Sequence, residues 1–169
     1  MAILDYLTGK RSKRARAARL LETVSAPFDR LRAAIREAGT AQAGADFETL
    51  WQRFTDCRLY RPADLTSLPS ADLDRLDRFV ASQIAPARPT LDAVRAALEQ
   101  VAREWRGDDL VTAATGGGLR ALAQFDELAG AATPQDRLLR TAALVEIDLA
   151  CADVKGELAH IAKSPALFW

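Results

Sequence analysis

The acidic and histidine side chains near the end of the chain have the spacing closest to that of a metal site. At 100° per residue, four of them fall within roughly 60° on one face of a predicted helix: Glu146, Asp153, Glu157 and His160. Di-iron carboxylate bundles use two facing Glu-x-x-His motifs. His160 is the only histidine of this chain, so a second motif is impossible. We therefore expect a solvated acidic face, with no metal and no cofactor.

Other residues that could support catalysis lack the partners that catalysis requires. Residues 116–118 are three glycines, which could cradle an anion, but no Lys-Ser/Thr follows them as in a P-loop. A flexible turn is the preferred interpretation. No G-x-S-x-G motif supplies a nucleophile for His160.

Cys57 and Cys151 form no C-x-x-C pair and predict buried free thiols in a reducing, cytoplasmic compartment. We predict no catalytic residue and no enzyme.

The clearest functional signal is the distribution of charge. The 169-residue chain has no net charge, yet residues 1–20 hold six basic side chains and only one acidic side chain, Asp5. The rest of the chain holds 17 basic and 22 acidic residues. A basic segment on an acidic body predicts an anionic partner. The predicted partner-binding residues combine a short apolar cluster with these cations: Ile3, Leu4, Leu7, Lys10, Arg11, Lys13, Arg14, Arg16 and Arg19.

Residues 1–21 resemble the start of the MinE cell-division regulators. The resemblance rests on the opening MAILDYL, on Lys10 and Arg11, and on Ala15, Ala18 and Leu20. In that family the corresponding segment targets the membrane, which implies that this segment can dock on anionic lipid. The remainder of the chain departs from the family, whose members are much shorter α/β proteins with a β-sheet dimer. No function for the whole chain follows from the resemblance.

Three other interpretations of the basic segment remain open. The cations could contact nucleic-acid phosphates, although no aromatic residues are interleaved among them. An Arg-rich, acid-poor start is also typical of an organellar transit peptide. In the third interpretation, the segment is a solvated helix face whose apolar residues Ile3, Leu4 and Leu7 pack on the body. The position of the basic run, after the apolar stretch, argues against a secretory signal.

The elements that position these residues are predicted to be helices, because apolar residues recur at steps of three and four and never alternate. The first helix is expected over about 12–38, kinked near Ser25 because Pro27 interrupts it, with a loop at 39–45. Two short helices follow Asp46 and Ser70, and a further one is capped by Thr90 and closed by Gly107.

The second half of the chain begins less clearly. A turn at Leu110 is expected before the glycines, and a separate helix over 119–128. Thr133 and Pro134 are a strong start signal for a long last helix that reaches Lys163. Ten central residues of the apolar stripes should be buried: Trp51, Phe54, Phe79, Val94, Leu98, Val101, Leu122, Ile147, Val154 and Leu158.

These patterns predict one all-α domain over residues 1–169, a bundle of about six helices with a basic amphipathic segment at 1–20. No apolar run approaches the ~20 residues that cross a bilayer.

The leading hypothesis is a helical interaction module (an adaptor, regulator or accessory subunit) that binds a protein partner or the inner membrane face peripherally. The alternatives are a nucleic-acid-associated regulator and a helical-bundle enzyme or ligand carrier with a pocket among its aromatic residues. The apolar tail, residues 167–169, is expected to pack on its own chain.

Overall fold

In the computed structural model, the described backbone is helical throughout, apart from short turns. The described residues are 2–43, 51–52, 71, 74, 78, 88–105, 109–130 and 132–164, and the side chains of α1 are described for 12–37. Four helices have defined bounds: α1 Ala2–Ala43, α2 Arg88–Glu104, α3 Asp109–Glu127 and α4 Pro134–Lys163. No strand occurs in these ranges. The predicted all-α class is confirmed.

Helix α1 is one continuous helix of 42 residues that passes through Pro27. The predicted start near residue 12 and the predicted loop over 39–43 are wrong, and residues 44–45 lie outside the described part. An interior proline costs about 3 kcal/mol. Val24 and Phe28 are buried on either side of it, and each such side chain contributes roughly 1.5–3 kcal/mol on burial. Packing across the proline therefore outweighs the local penalty.

Helix α3 runs straight through the three glycines that were predicted to form a flexible turn. The predicted turn at Leu110 and the predicted helix over 119–128 are two ends of the same helix. A Cβ atom at position 118 would lie 2.9 Å from Leu98 Cδ1 and 3.1 Å from Ala150 Cβ. At this position α2 and α4 approach α3 so closely that a side chain would not fit, and glycine is therefore the residue that the packing requires.

The predicted helix bounds agree more closely with the structure for α4 than for α2. Thr133 caps α4, and its hydroxyl oxygen accepts a hydrogen bond from Asp136 N at 3.1 Å. The helix reaches Lys163 as expected, with Ser164 at its C-cap. Helix α2 instead begins at Arg88, two residues before the predicted cap Thr90. Pro89 stands in its first turn, where a missing N–H costs nothing.

The core is shared by all four helices. Helix α4 packs on α1 and α3, and α2 packs on the same two helices. Eight of the ten residues predicted to be buried lie in this core: Trp51, Val94, Leu98, Val101, Leu122, Ile147, Val154 and Leu158. The other two, Phe54 and Phe79, lie outside the described residues. On α1, Leu20 is fully buried, and Leu21 is partly buried and packs against the same core.

Candidate functional site

The basic segment forms the first turns of α1 and is not a separate element. The structure describes the side chains of four predicted partner-binding residues: Lys13, Arg14, Arg16 and Arg19. The other five lie outside the described side chains: Ile3, Leu4, Leu7, Lys10 and Arg11. The apolar tail at 167–169 also lies outside the described residues.

Lys13 and Arg19 attach α1 to the end of α2. The Nζ atom of Lys13 lies 5.6 Å from the ring centroid of Trp105, which is buried. A cation over an indole face is attracted by the ring quadrupole. Arg19 Nη2 donates to Glu104 Oε2 at 2.7 Å. Each of these two cations therefore already contacts a residue at the end of α2.

Glu104 is held in its charged form by two donors. Gln100 Nε2 donates to its other oxygen at 2.9 Å. This hydrogen bond is the main reason that the pKa of Glu104 is lowered; desolvation opposes it, and the hydrogen bond and charge of Arg19 lower the pKa further. A carboxylate that accepts hydrogen bonds in its charged form resists protonation. The contact with Arg19 is therefore a stable feature at neutral pH.

Arg14 and Arg16 differ from these two cations. Both side chains are half-buried, and neither makes an ion pair or hydrogen bond within the described residues. Two positions along a helix correspond to 200°, so the two guanidinium groups flank opposite sides of α1. The surface between them carries the small exposed residues Ser12, Ala15 and Ala18 together with the exposed Arg19. In the described part of the segment, this exposed face therefore has an arginine without a described partner on each flank.

A second charged cluster lies halfway along α1, where it contacts α4. Arg32 Nε donates to Asp148 Oδ1 at 3.3 Å, and Trp51 Nε1 donates to the other oxygen at 3.4 Å. Lys155 Nζ donates to both oxygens of Asp29, at 2.5 and 2.7 Å. Sequence reasoning missed this cluster. A carboxylate within the apolar run 141–151 signals a buried polar partner, but that signal does not say which cation it is.

A groove opens beside these charges. Its volume is about 340 Å³, and its lining combines apolar, small and charged residues from α1 and α4. Gly156, which is exposed, is one of its lining residues, and a Cβ atom built there would meet nothing within 4 Å. A smaller cavity of about 170 Å³ borders Trp105, between α2 and α3. This cavity is below the usual 300–1,000 Å³ range of ligand pockets.

Cys151 lines the groove, and its thiol is expected to be unreactive. The thiol is free and buried, as the sequence predicted. Burial raises its pKa, and the negative charge of Asp148 raises it further against the smaller effect of Arg32. A protonated thiol is a poor nucleophile and a poor metal ligand. Cys57 lies outside the described residues.

The acidic face of α4 does not gather into a metal site in the part of the chain that the structure describes. Asp153 and His160 are exposed, while Glu146 and Glu157 are half-buried. Desolvation raises the pKa of Asp153. Among the described residues, no three Asp, Glu, His or Cys side chains form a group that could hold a metal ion.

Comparison with known proteins adds no assignment. No protein-family model, curated protein or solved structure matches this chain. Among the described helices, none combines the length and the apolar character that crossing a membrane requires.

Proposed function

We propose that the protein is a non-enzymatic helical interaction module, an adaptor, regulator or accessory subunit, that binds an anionic surface through the first turns of α1. The anionic surface is an acidic protein or the anionic inner face of the membrane, which the protein contacts peripherally from the cytoplasm. We further propose that residues 1–169 form one bundle of about six helices. The observation that carries the proposal is the pair of free cations, Arg14 and Arg16.

The anchoring of Lys13 and Arg19 supports this proposal because it orders the segment in advance. Arg14 and Arg16 lie between these two anchors, so their backbone is already fixed as a helix. A free basic peptide would spend about 1–2 kcal/mol per residue on ordering when it binds. A surface that is ordered before binding avoids much of this cost.

The expected interaction is weak, reversible and sensitive to salt. Each basic side chain near an anionic lipid surface contributes about 1 kcal/mol, and the structure leaves two such side chains free among the described ones. Burial of Leu4 or Leu7 in the lipid would add roughly 1.5–3 kcal/mol each. Without that burial, the charges alone give a modest affinity that 0.2 M salt largely removes.

Co-sedimentation with liposomes of anionic and of neutral lipid, at 50 and 200 mM salt, tests the proposal. Three variants are compared with the wild type: Arg14→Ala/Arg16→Ala, Leu4→Ala/Leu7→Ala, and Arg30→Ala/Arg36→Ala. The last is a matched control, because it removes the same charge from exposed sites farther along α1. Binding to anionic liposomes that is lost in the first two variants and kept in the control identifies the membrane.

Two other readouts separate the remaining partners. A gel shift with duplex DNA should respond to the arginine variant and ignore the leucine variant, because phosphate contacts use only charge. Six phosphate contacts would lose about 10³ in affinity between 50 and 200 mM salt. Binding of this kind would indicate that the protein is a nucleic-acid-associated regulator. Affinity capture that requires Arg14 and Arg16 and recovers one acidic protein would instead identify a protein partner. If no anionic surface binds at low salt, the proposal fails.

A further inference from the structure

We infer that the groove between α1 and α4 binds a small organic acid, whose carboxylate is held by Arg32 and Lys155 and whose apolar body lies along α4. The inference is independent of the proposed function, because the groove shares no residue with the basic segment. It rests on the Nη donors of Arg32, which have no partner among the described residues, in a groove whose lining alternates charged and apolar side chains along α4.

Arg32 supplies the directional donors. Only its Nε makes a hydrogen bond among the described residues, to the buried carboxylate of Asp148. Trp51 holds the other oxygen of that carboxylate, so the guanidinium is oriented by a fixed acceptor. Its two Nη groups have no hydrogen-bond partner in the same described set, and 43% of the side chain is exposed. A planar guanidinium with a free edge matches a carboxylate in a bidentate pair.

Lys155 supplies the second positive charge, which Asp29 currently neutralises. The ammonium contacts both oxygens of Asp29, whose side chain is 62% exposed. An exposed ion pair contributes little to stability, so Asp29 can turn into solvent at small cost. A ligand carboxylate would then replace that of Asp29 on Lys155 while it contacts Arg32. Asp29 thus acts as a competitor that a ligand must displace.

The rest of the groove favours an apolar body. Phe28, Ala152 and Ala159 provide apolar walls, and the space over Gly156 is empty. A volume of about 340 Å³ lies at the small end of ligand sites and suits on the order of ten non-hydrogen atoms. A singly charged carboxylate fits better than a phosphate, because Asp148 would repel a second negative charge. A saturated acid of six to ten carbons satisfies these conditions.

Calorimetric titration with butanoate, hexanoate, octanoate and decanoate tests the inference. Affinity should rise by about fourfold per methylene group until the groove is filled. Gly156→Leu should abolish binding, because the new side chain fills this empty space. Gly117→Leu is the matched control: a Cβ at this α3 position also meets nothing within 4 Å, and the residue lies outside the groove. It should leave binding unchanged.

Two charge variants test the assigned donors. Asp29→Asn removes the competing carboxylate and should tighten octanoate binding by about three- to tenfold. Arg32→Gln/Asp148→Asn replaces the buried pair by a neutral one, so that no buried charge is left alone, and should weaken binding at least tenfold. Thermal unfolding of each variant without octanoate shows that it remains folded.

The inference is overturned if octanoate shows no saturable binding up to 10 mM, or if Gly156→Leu binds as the wild type does. It is also overturned if 1-octanol binds as tightly as octanoate, because the carboxylate would then be irrelevant. Arg14→Ala/Arg16→Ala should bind octanoate with unchanged affinity. This variant therefore distinguishes a wrong assignment of the groove from a wrong assignment of the basic segment.

Discussion

Helix α1 carries two groups of charges in different electrostatic settings. Near its start, Arg14 and Arg16 have no partner among the described residues, and small exposed side chains surround them. Halfway along, Arg32 pairs with a buried carboxylate that also accepts from a tryptophan. The difference follows from what α1 packs against, because burial next to α4 makes an unpaired charge costly. Charges near the start carry no such requirement, so they remain available to another molecule.

Replacement of Leu98 by Ala should have the largest effect, because this residue belongs to the core that supports both regions. Leu98 is fully buried and lies against Gly118 of α3. Truncation leaves a cavity and should lower the free energy of unfolding by about 2–5 kcal/mol, as measured by urea denaturation. Leu110→Ala is the control, because Leu110 is 63% exposed and should change stability by less than ~0.5 kcal/mol. A loss under ~1 kcal/mol at Leu98 would contradict the described packing.

Replacement of Arg32 by Ala tests the contrast along α1 directly. It leaves the buried carboxylate of Asp148 with only Trp51 as a described partner, and the loss of one hydrogen-bond donor to a buried acceptor costs about 1–3 kcal/mol. Arg14→Ala should change the free energy of unfolding by less than ~0.5 kcal/mol. Urea denaturation of both variants at pH 7 measures the difference. Equal effects would mean that the two groups of charges do not differ as described.

Two glycine-to-alanine changes should have opposite signs. Gly118→Ala places a methyl group 2.9 Å from Leu98 Cδ1 and 3.1 Å from Ala150 Cβ, so it should destabilise the protein by about 1–3 kcal/mol. Gly156→Ala meets open space and should stabilise it by roughly 0.5–1 kcal/mol, because alanine loses less backbone entropy in a helix. Thermal unfolding of the pair measures both effects. Stabilisation by Gly118→Ala would show that the helices approach less closely than described.

The acidic face of α4 should give no response to metals. Calorimetric titration of the protein with ferrous iron, manganese and zinc should be flat at micromolar concentrations, since no further ligands join Glu157 and His160 within the described part of the chain. His160→Ala is the comparison. Stoichiometric binding that this variant abolishes would refute the prediction and point to a site shared between subunits.

Capping residues in the sequence predicted the helix bounds that interactions within one turn determine. The start and end of α4 follow from Thr133, Pro134 and Ser164, because caps act within one turn. The passage of α1 through Pro27 was predicted, but its start at Ala2 was not. The helix through Gly118 was also not predicted, because close packing between distant helices overrides the local preference of glycine. The Arg32–Asp148 pair joins residues 116 positions apart, a pairing that periodicity cannot reveal. In the basic segment, the sequence indicated the charge but not which cations the fold would use.

The packing of α1 on α4 also sets the order of events during synthesis of the chain. The face of α1 that ends up against α4 leaves the ribosome more than a hundred residues before the partner helix. At translation rates of about 5–20 residues per second, this face waits for its partner for roughly 5–25 s. A chaperone that binds nascent apolar segments would therefore encounter α1 before α4, and slowing translation between α1 and α4 should increase aggregation of the product.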